Sequence, residues 1–288
     1  MSVQKWIKSV GARCARGASI GRRLPIVSWL PAYSASLLIR DLLAGVTVAL
    51  MAVPQGIAYG QLAGLPPHFG LYACLLTGIW YAALGTTDVV SVGPTAVMSL
   101  LTAEFTGGDQ QRAVLLAFFT GAVVTAAGCL RLGFLVDFFS VPVVSGFVSA
   151  ASITICTTQL KGLFGLKLPP FHGSSRNTTS PDITSSAGNA SVVADPARWP
   201  GVTALASELG LGLMVVPLVA TIECMAIAKA FAAHNRPQDH SQEMIALGVC
   251  NLLGALFSSY TVTGSFSRTA LNHASGAATP IAGVITCE

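Results

Sequence analysis

Four short stretches place polar side chains inside apolar surroundings, where each costs free energy unless it is paired or faces a polar cavity. Pro54-Gln55-Gly56-Ile57-Ala58-Tyr59 puts Gln55 and Tyr59 one helical turn apart. Val89-Val90-Ser91-Val92-Gly93-Pro94-Thr95-Ala96 runs from β-branched residues through Gly-Pro into helix-compatible sequence. Tyr260-Thr261-Val262-Thr263-Gly264-Ser265-Phe266-Ser267-Arg268-Thr269 repeats that grammar and adds an arginine in the first turn. Glu223 is an acid in the middle of Val219–Cys224. A helix that starts inside a membrane offers unpaired N–H groups and the positive end of its dipole, which suits an anion. Two interrupted apolar segments are the sequence pointer to a transporter site. Each stretch also has a plainer reading. Gln55 suits a helix–helix hydrogen bond beside Gly56, Gly60 and Gly64, and Gly93-Pro94 suits a kinked helix. Glu223 suits a buried ion pair with Arg268 or Lys229, and Arg268 suits an arginine that snorkels to water. Catalytic and metal-ligating residue types are scattered rather than assembled, so no cofactor or metal is expected.

The elements that must position these residues follow from composition. Apolar residues make up 52% and charged residues 10% of 288, with Gly 29 and Pro 15. That is too little charge for a soluble surface, and it excludes a disordered chain, a coiled coil and an ordinary soluble enzyme. The fold class is an all-α polytopic membrane protein. Apolar runs of bilayer length lie at about 42–59, 69–84, 89–105, 113–130, 141–164, 209–230 and 244–260, and a last element starts at 265. Lys5, Lys8, Arg13, Arg16, Arg22, Arg23 and Arg40 give a 1–40 tail seven of the 16 basic residues and no acid. The simplest reading is a cytoplasmic N-terminus rather than nucleic-acid binding. The loop 169–206 then falls outside, and it carries the sequons Asn177-Thr178-Thr179 and Asn189-Ala190-Ser191, candidate N-glycosylation sites. The seven cysteines include no Cys-x-x-Cys and read as small apolar side chains.

Three of these stretches resemble known motifs. Gln55-Gly-Ile-Ala-Tyr-Gly-Gln-Leu-Ala-Gly-Leu-Pro-Pro-His-Phe-Gly-Leu-Tyr72 is similar to the first-span motif of the sulfate permease (SulP) anion transporters. Val92-Gly-Pro-Thr-Ala-Val-Met-Ser99 resembles the family's third-span motif, and Val262-Thr-Gly-Ser-Phe-Ser-Arg-Thr-Ala-Leu-Asn272 its tenth.

The resemblance implies a partial form of an inverted 7+7 repeat. Its third and tenth family spans each pair a short β-strand with a half-helix, and a core domain moves against a gate as an elevator. It implies a sodium-independent carrier of sulfate, or a sulfate/chloride exchanger, in the plasma or endolysosomal membrane, with a homodimer as a further expectation. Gln55 and Tyr59 would line the anion site. Thr95 and Ala96 would offer N–H groups from one half-helix, Ser265 and Ser267 from the other, with Arg268 beside them. Glu223 matches an acid linked to cation or proton coupling in some members. Gly85-Thr86-Thr87-Asp88 departs from the family's Gly-Thr-Ser-basic, and Phe69 and Cys74 also depart. The chain is expected to lack the family's sixth and seventh spans, the end of the second repeat and the cytosolic STAS domain. The alternative to a working transporter is therefore a truncated, non-transporting chain that associates with full-length partners.

Overall fold

The computed structural model describes residues 33–133, 209–231 and 239–287, with isolated positions at 25–26, 146, 149–150 and 153. The basic tail before Tyr33, most of the 141–164 run, the 169–206 loop and both sequons lie outside the described residues.

The first helix, α1, runs Ala35–Leu62 and is followed by α2, Pro67–Leu84. Gly64 at φ +73° takes the left-handed turn between them, and Pro67 sits at the first helical position, where no N–H is needed. The strand β1 (Val92–Gly93) leads into α3, Ala96–Thr106. Gly107 in the left-handed conformation ends α3, and Asp109 caps α4, Gln110–Cys129, through the N–H of Gln111. Beyond the undescribed segment come α5 (Gly212–Ala230) and α6 (His240–Leu256). Asp239 caps α6 through the N–H groups of Ser241 and Gln242. The strand β2 (Thr263–Gly264), α7 (Phe266–Ala274) and α8 (Ile281–Cys287) complete the described chain.

The structure divides two runs differently from hydropathy. The 244–260 run stops being helical at Leu256, and Tyr260 leads into β2 instead. The element starting at 265 is two helices, because Gly276 at φ +80° turns the chain after α7. In both places apolar sequence continues past a break in backbone direction, and hydropathy registers only the first.

Packing is close where side chains are small. α1 and α2 meet at Gly56, Gly60 and Gly70, where a Cβ on Gly70 would run into the Gly56 carbonyl. On the facing α4–α6 pair, a Cβ on Gly121 would lie 2.5 Å from the Leu252 nitrogen. Small residues let helix backbones approach without a hydrophobic drive between them. Buried apolar residues fill two clusters. One is centred on α2, α5, α6 and the strands (Tyr81, Val92, Met225, Leu247, Tyr260), and the other lies between α3, α4 and α5 (Met98, Leu116, Val216).

The outside is apolar as well. Ile39, Leu43, Val46, Leu50 and Val53 form an exposed stripe on α1, and Leu211, Met214 and Leu218 one on α5. Leu50 and Met214 are each 76% exposed. Ala35–Leu62, Gln110–Cys129 and Gly212–Ala230 are long and apolar enough to cross a membrane. Apolar stripes outside and polar groups inside invert a soluble protein and fit a helical bundle in lipid.

Buried polar groups tie the helix ends together. Asp41, fully buried on α1, accepts hydrogen bonds from the backbone N–H groups of Ala278 (2.8 Å) and Thr279 (3.1 Å), and from the Thr279 and Tyr33 hydroxyls. Arg40 donates to the Gly276 carbonyl at 3.0 Å. The start of α1 therefore fixes the segment that leads into α8. At the end of α2, Glu243 of α6 accepts from the Tyr81 hydroxyl and from both the N–H and hydroxyl of Thr86. Gln242 donates to the Leu84 carbonyl.

Candidate anion site

The site is built where β1 and β2 pair. The two strands are antiparallel, Val92 opposite Gly264 and Gly93 opposite Thr263. Each strand passes straight into a helix, so α3 and α7 both begin at the strand pair. Their first-turn N–H groups have no partner within the helix, and both positive dipole ends converge on one place.

Two residues of β-structure cannot hold themselves in register, and buried side chains supply what is missing. Asn251 of α6 accepts from the Val262 N–H and donates to the Val262 carbonyl, each at 2.9 Å. Thr77 of α2 donates to the Val92 carbonyl, and Thr263 to the Ala220 carbonyl of α5. Thr269 and Asn272 of α7 bond the backbone at Ser91 and Val89, and the Ser265 N–H donates to the Ser91 carbonyl. Ser99 of α3 pairs with the Tyr260 hydroxyl. Isolated Thr, Ser and Asn in apolar runs give no signal in the sequence beyond their polarity. Only the neighbours brought by the fold identify them as supports.

Arg268, in the first turn of α7, is 1% exposed. Its side chain crosses β1 so closely that a Cβ on Gly93 would lie 2.8 Å from Nη2. Neither Nη1 nor Nη2 has a hydrogen-bond partner among the described residues. A buried guanidinium left in that state is costly. This one does not snorkel, so the interfacial reading of Arg268 does not hold.

Glu223 of α5 does not neutralise it. Its Oε2 accepts from the Thr95 hydroxyl at 3.3 Å, and no ion pair within 4 Å joins Glu223 to Arg268. The ion-paired alternative with Arg268 is therefore corrected. Glu223 reaches the α3 N-terminus instead, because Thr95 is its N-cap and also accepts from the Met98 N–H. Arg268 remains within electrostatic reach of Glu223, Tyr59 and Tyr260.

The remaining sequence candidates fall as follows. Thr95 and Ala96 are buried at the start of α3. Ser265, the N-cap of α7, is buried, and its hydroxyl lies 3.4 Å from that of the exposed Ser267. Gln55 and Tyr59 share a turn of α1 and are partly buried, and Gln55 Oε1 has no partner among the described residues. The helix–helix hydrogen bond proposed for Gln55 is thus not made through its carbonyl oxygen. The close approach is made by the neighbouring Gly56 and Gly60 alone. Among the described residues no group of three or more His, Cys, Asp or Glu is placed to hold a metal ion. The arrangement is one of donors: two helix N-termini, hydroxyls and one guanidinium without an ion pair among the described residues, all suited to an oxyanion.

The chain is similar to known transport proteins. The sodium-independent sulfate anion transporter of Bos taurus is 34% identical over 95% of this chain and 60% of its own length. Sulfate transporter 4.1, chloroplastic, of Arabidopsis thaliana is 32% identical over 91% of this chain and 48% of its own length. The chain thus spans about half the length of the curated relatives it matches. The bovine alignment extends over 361 residues, more than the 288 of this chain, so the relative carries internal sequence that this chain lacks. Among solved structures, the murine Solute Carrier 26 family member A9 anion transporter in the inward-facing state superposes with a TM-score of 0.75 at 21% identity. It covers 94% of this chain and 58% of its own. The transmembrane domain of the cyanobacterium bicarbonate transporter BicA superposes at 0.65 and 18% identity, covering 88% of this chain and 82% of its own. Those two identities carry the fold alone. The sulfate permease family matches residues 38–194 and 196–288, which is nearly the whole chain, and with helices of spanning length around paired half-helices this integral membrane protein belongs to that family of transporters, which are not enzymes.

Proposed function

We propose that the chain is a secondary active carrier of inorganic anions, with sulfate or sulfate/chloride exchange as its reaction and no dependence on sodium. One observation carries this reading. Arg268 is buried at the junction of two helix N-termini with both terminal nitrogens lacking a partner among the described residues. A tetrahedral oxyanion has the charge and the number of acceptors to satisfy them. Gln55 and Tyr59 line the site from α1. Thr95 and Ala96 present donors from α3, and Ser267 from α7 with the hydroxyl of Ser265, whose own N–H is taken by the Ser91 carbonyl. Glu223, held on Thr95, is the candidate coupling group. The bundle described here is the core of an inverted repeat, moving as an elevator against a gate. The N-terminus is cytoplasmic, the 169–206 loop faces outside with glycans on Asn177 and Asn189, and the protein is a homodimer in the plasma or endolysosomal membrane.

A second reading has its own support. The bovine relative carries internal residues absent here, as expected if the sixth and seventh spans, part of the gate, are missing. A chain with the site but without a full gate binds anions without moving them, and associates with full-length partners. Radiolabelled sulfate uptake into cells expressing residues 1–288 separates the readings when run beside sulfate binding to the purified chain. Saturable uptake supports the carrier. Binding without uptake supports the second reading. Neither binding nor uptake of sulfate or chloride refutes both.

A further inference from the structure

We propose that Asn251 is a positioning residue that sets the anion site from behind, an inference that rests on the reading of that site given above. β2 has β1 on one side only, and pairs with it only at Thr263 and Gly264. The residue before that pair, Val262, is fully buried and has no strand partner. Asn251 takes the place of one. Its side-chain amide carries an acceptor and a donor with the spacing of a peptide unit. Oδ1 accepts from the Val262 N–H at 2.9 Å, and Nδ2 donates to the Val262 carbonyl at 2.9 Å. Nδ2 also donates to Leu247, one turn back on α6, at 3.0 Å, which locks the amide orientation. Asn251 is itself 1% exposed, so water cannot replace these bonds.

The opposite strand is held from the same place. Thr77 donates to the Val92 carbonyl, and Cys250, the neighbour of Asn251, reaches the Thr77 carbonyl at 3.5 Å. The crossing of α2 and α6 is therefore one platform that fixes Val92 on one strand and Val262 on the other. Three residues past Val262 stands Ser265, the N-cap of α7, and three further stands Arg268. Asn251 is not beside the site in sequence and bonds none of its side chains. It acts through two peptide groups, by keeping the α7 N-terminus pointed at that of α3.

The test uses the purified chain with two readouts. The first is amide hydrogen exchange, resolved over residues 259–270 and over α1 and α4. The second is sulfate affinity from the sulfate-dependent shift in melting temperature. Asn251→Leu keeps the number and branching of the side-chain heavy atoms and removes all three bonds. Asn251→Asp keeps an acceptor for the Val262 N–H and loses the amide donor. Losing a buried hydrogen bond corresponds to roughly tenfold or more in the local opening equilibrium. Asn251→Leu is expected to raise exchange by about that factor at 262–269 only, and to weaken sulfate binding by roughly tenfold or more. Asn251→Asp, read at a pH where its carboxyl is protonated so that an O–H replaces one amide donor, is expected to leave the Val262 amide itself protected while weakening sulfate by a smaller factor, and it serves where the leucine variant does not fold. Exchange that rises equally in α1 and α4, or local loosening with unchanged sulfate affinity, overturns the proposal. If the unsubstituted chain binds no sulfate, the site reading fails on its own, and exchange localised to 262–269 in the variants still decides whether Asn251 holds the strand.

Discussion

Replacing Arg268 by glutamine separates a ligand-binding arginine from a structural one, because the two roles predict opposite changes in stability. A buried arginine that is paired within the protein leaves an uncompensated partner when removed, at a cost of about 3–5 kcal/mol. Among the described residues Arg268 has no such partner: both terminal nitrogens lack an acceptor, and Glu223 is engaged with Thr95 instead. The ligand-free Arg268→Gln protein is therefore expected to melt at or above the parent temperature. Anion binding moves the other way. A unit charge about 4 Å from the guanidinium interacts by about 4 kcal/mol at an effective dielectric near 20. After desolvation, a hydrogen bond to a charged group contributes about 1.5–3 kcal/mol. Sulfate affinity is expected to fall by roughly 10- to 150-fold at 1.4 kcal/mol per factor of ten. The assay is thermal unfolding in detergent across a sulfate titration. The unsubstituted protein should gain about 2.7 kcal/mol at 100 times Kd, and the variant only about 0.3–1.4 kcal/mol at the same concentration. Unchanged sulfate affinity, or a ligand-free protein destabilised by several kcal/mol, refutes the reasoning. Arg268→Lys should recover only part of the affinity, because an ammonium cannot present two nitrogens across Gly93 as the guanidinium does.

Other perturbations test the frame around the site. Gly70→Ala drives a methyl into the Gly56 carbonyl on α1 and should destabilise by about 1–3 kcal/mol or prevent folding, read by melting temperature and monodispersity. Glu243→Ala leaves the buried Tyr81 hydroxyl and the Thr86 donors without an acceptor. It should cost about 1–3 kcal/mol for each group stranded, whereas Glu243→Gln, which keeps an acceptor, should cost less in the same unfolding assay. Asn177→Gln with Asn189→Gln should abolish any endoglycosidase-sensitive gel shift of the cell-expressed protein. A shift that persists in the double variant contradicts the assignment of glycans to the 169–206 loop.

Composition, and the placement of a few residues against it, determined a good deal about this protein. A chain with 10% charged residues must put apolar surface outward, and Leu50 and Met214 do so. Polar or strained residues inside apolar runs stand out against that background, so Gln55, Thr95, Glu223 and Arg268 were legible one by one. Gly-Pro and Thr-Gly-Ser marked the two places where strand gives way to helix, since the breaking of apolar periodicity is a local property of the chain. What tertiary structure alone decided is which of these groups satisfy one another. Glu223 had two candidate cations in sequence, and the fold gave it a threonine hydroxyl from a helix 128 positions away instead. Asn251 and Thr77 carry no mark in the sequence, because a lone amide or hydroxyl in an apolar helix reads the same whether it bonds its own turn or a distant strand. Asp41 and Glu243 became helix-end acceptors only when α8 and α2 were brought to them. The physical reason is range. Hydropathy and helix-breaking act over a few residues and can be read along the chain, while hydrogen-bond satisfaction in a low-dielectric interior is settled by neighbours that only folding supplies.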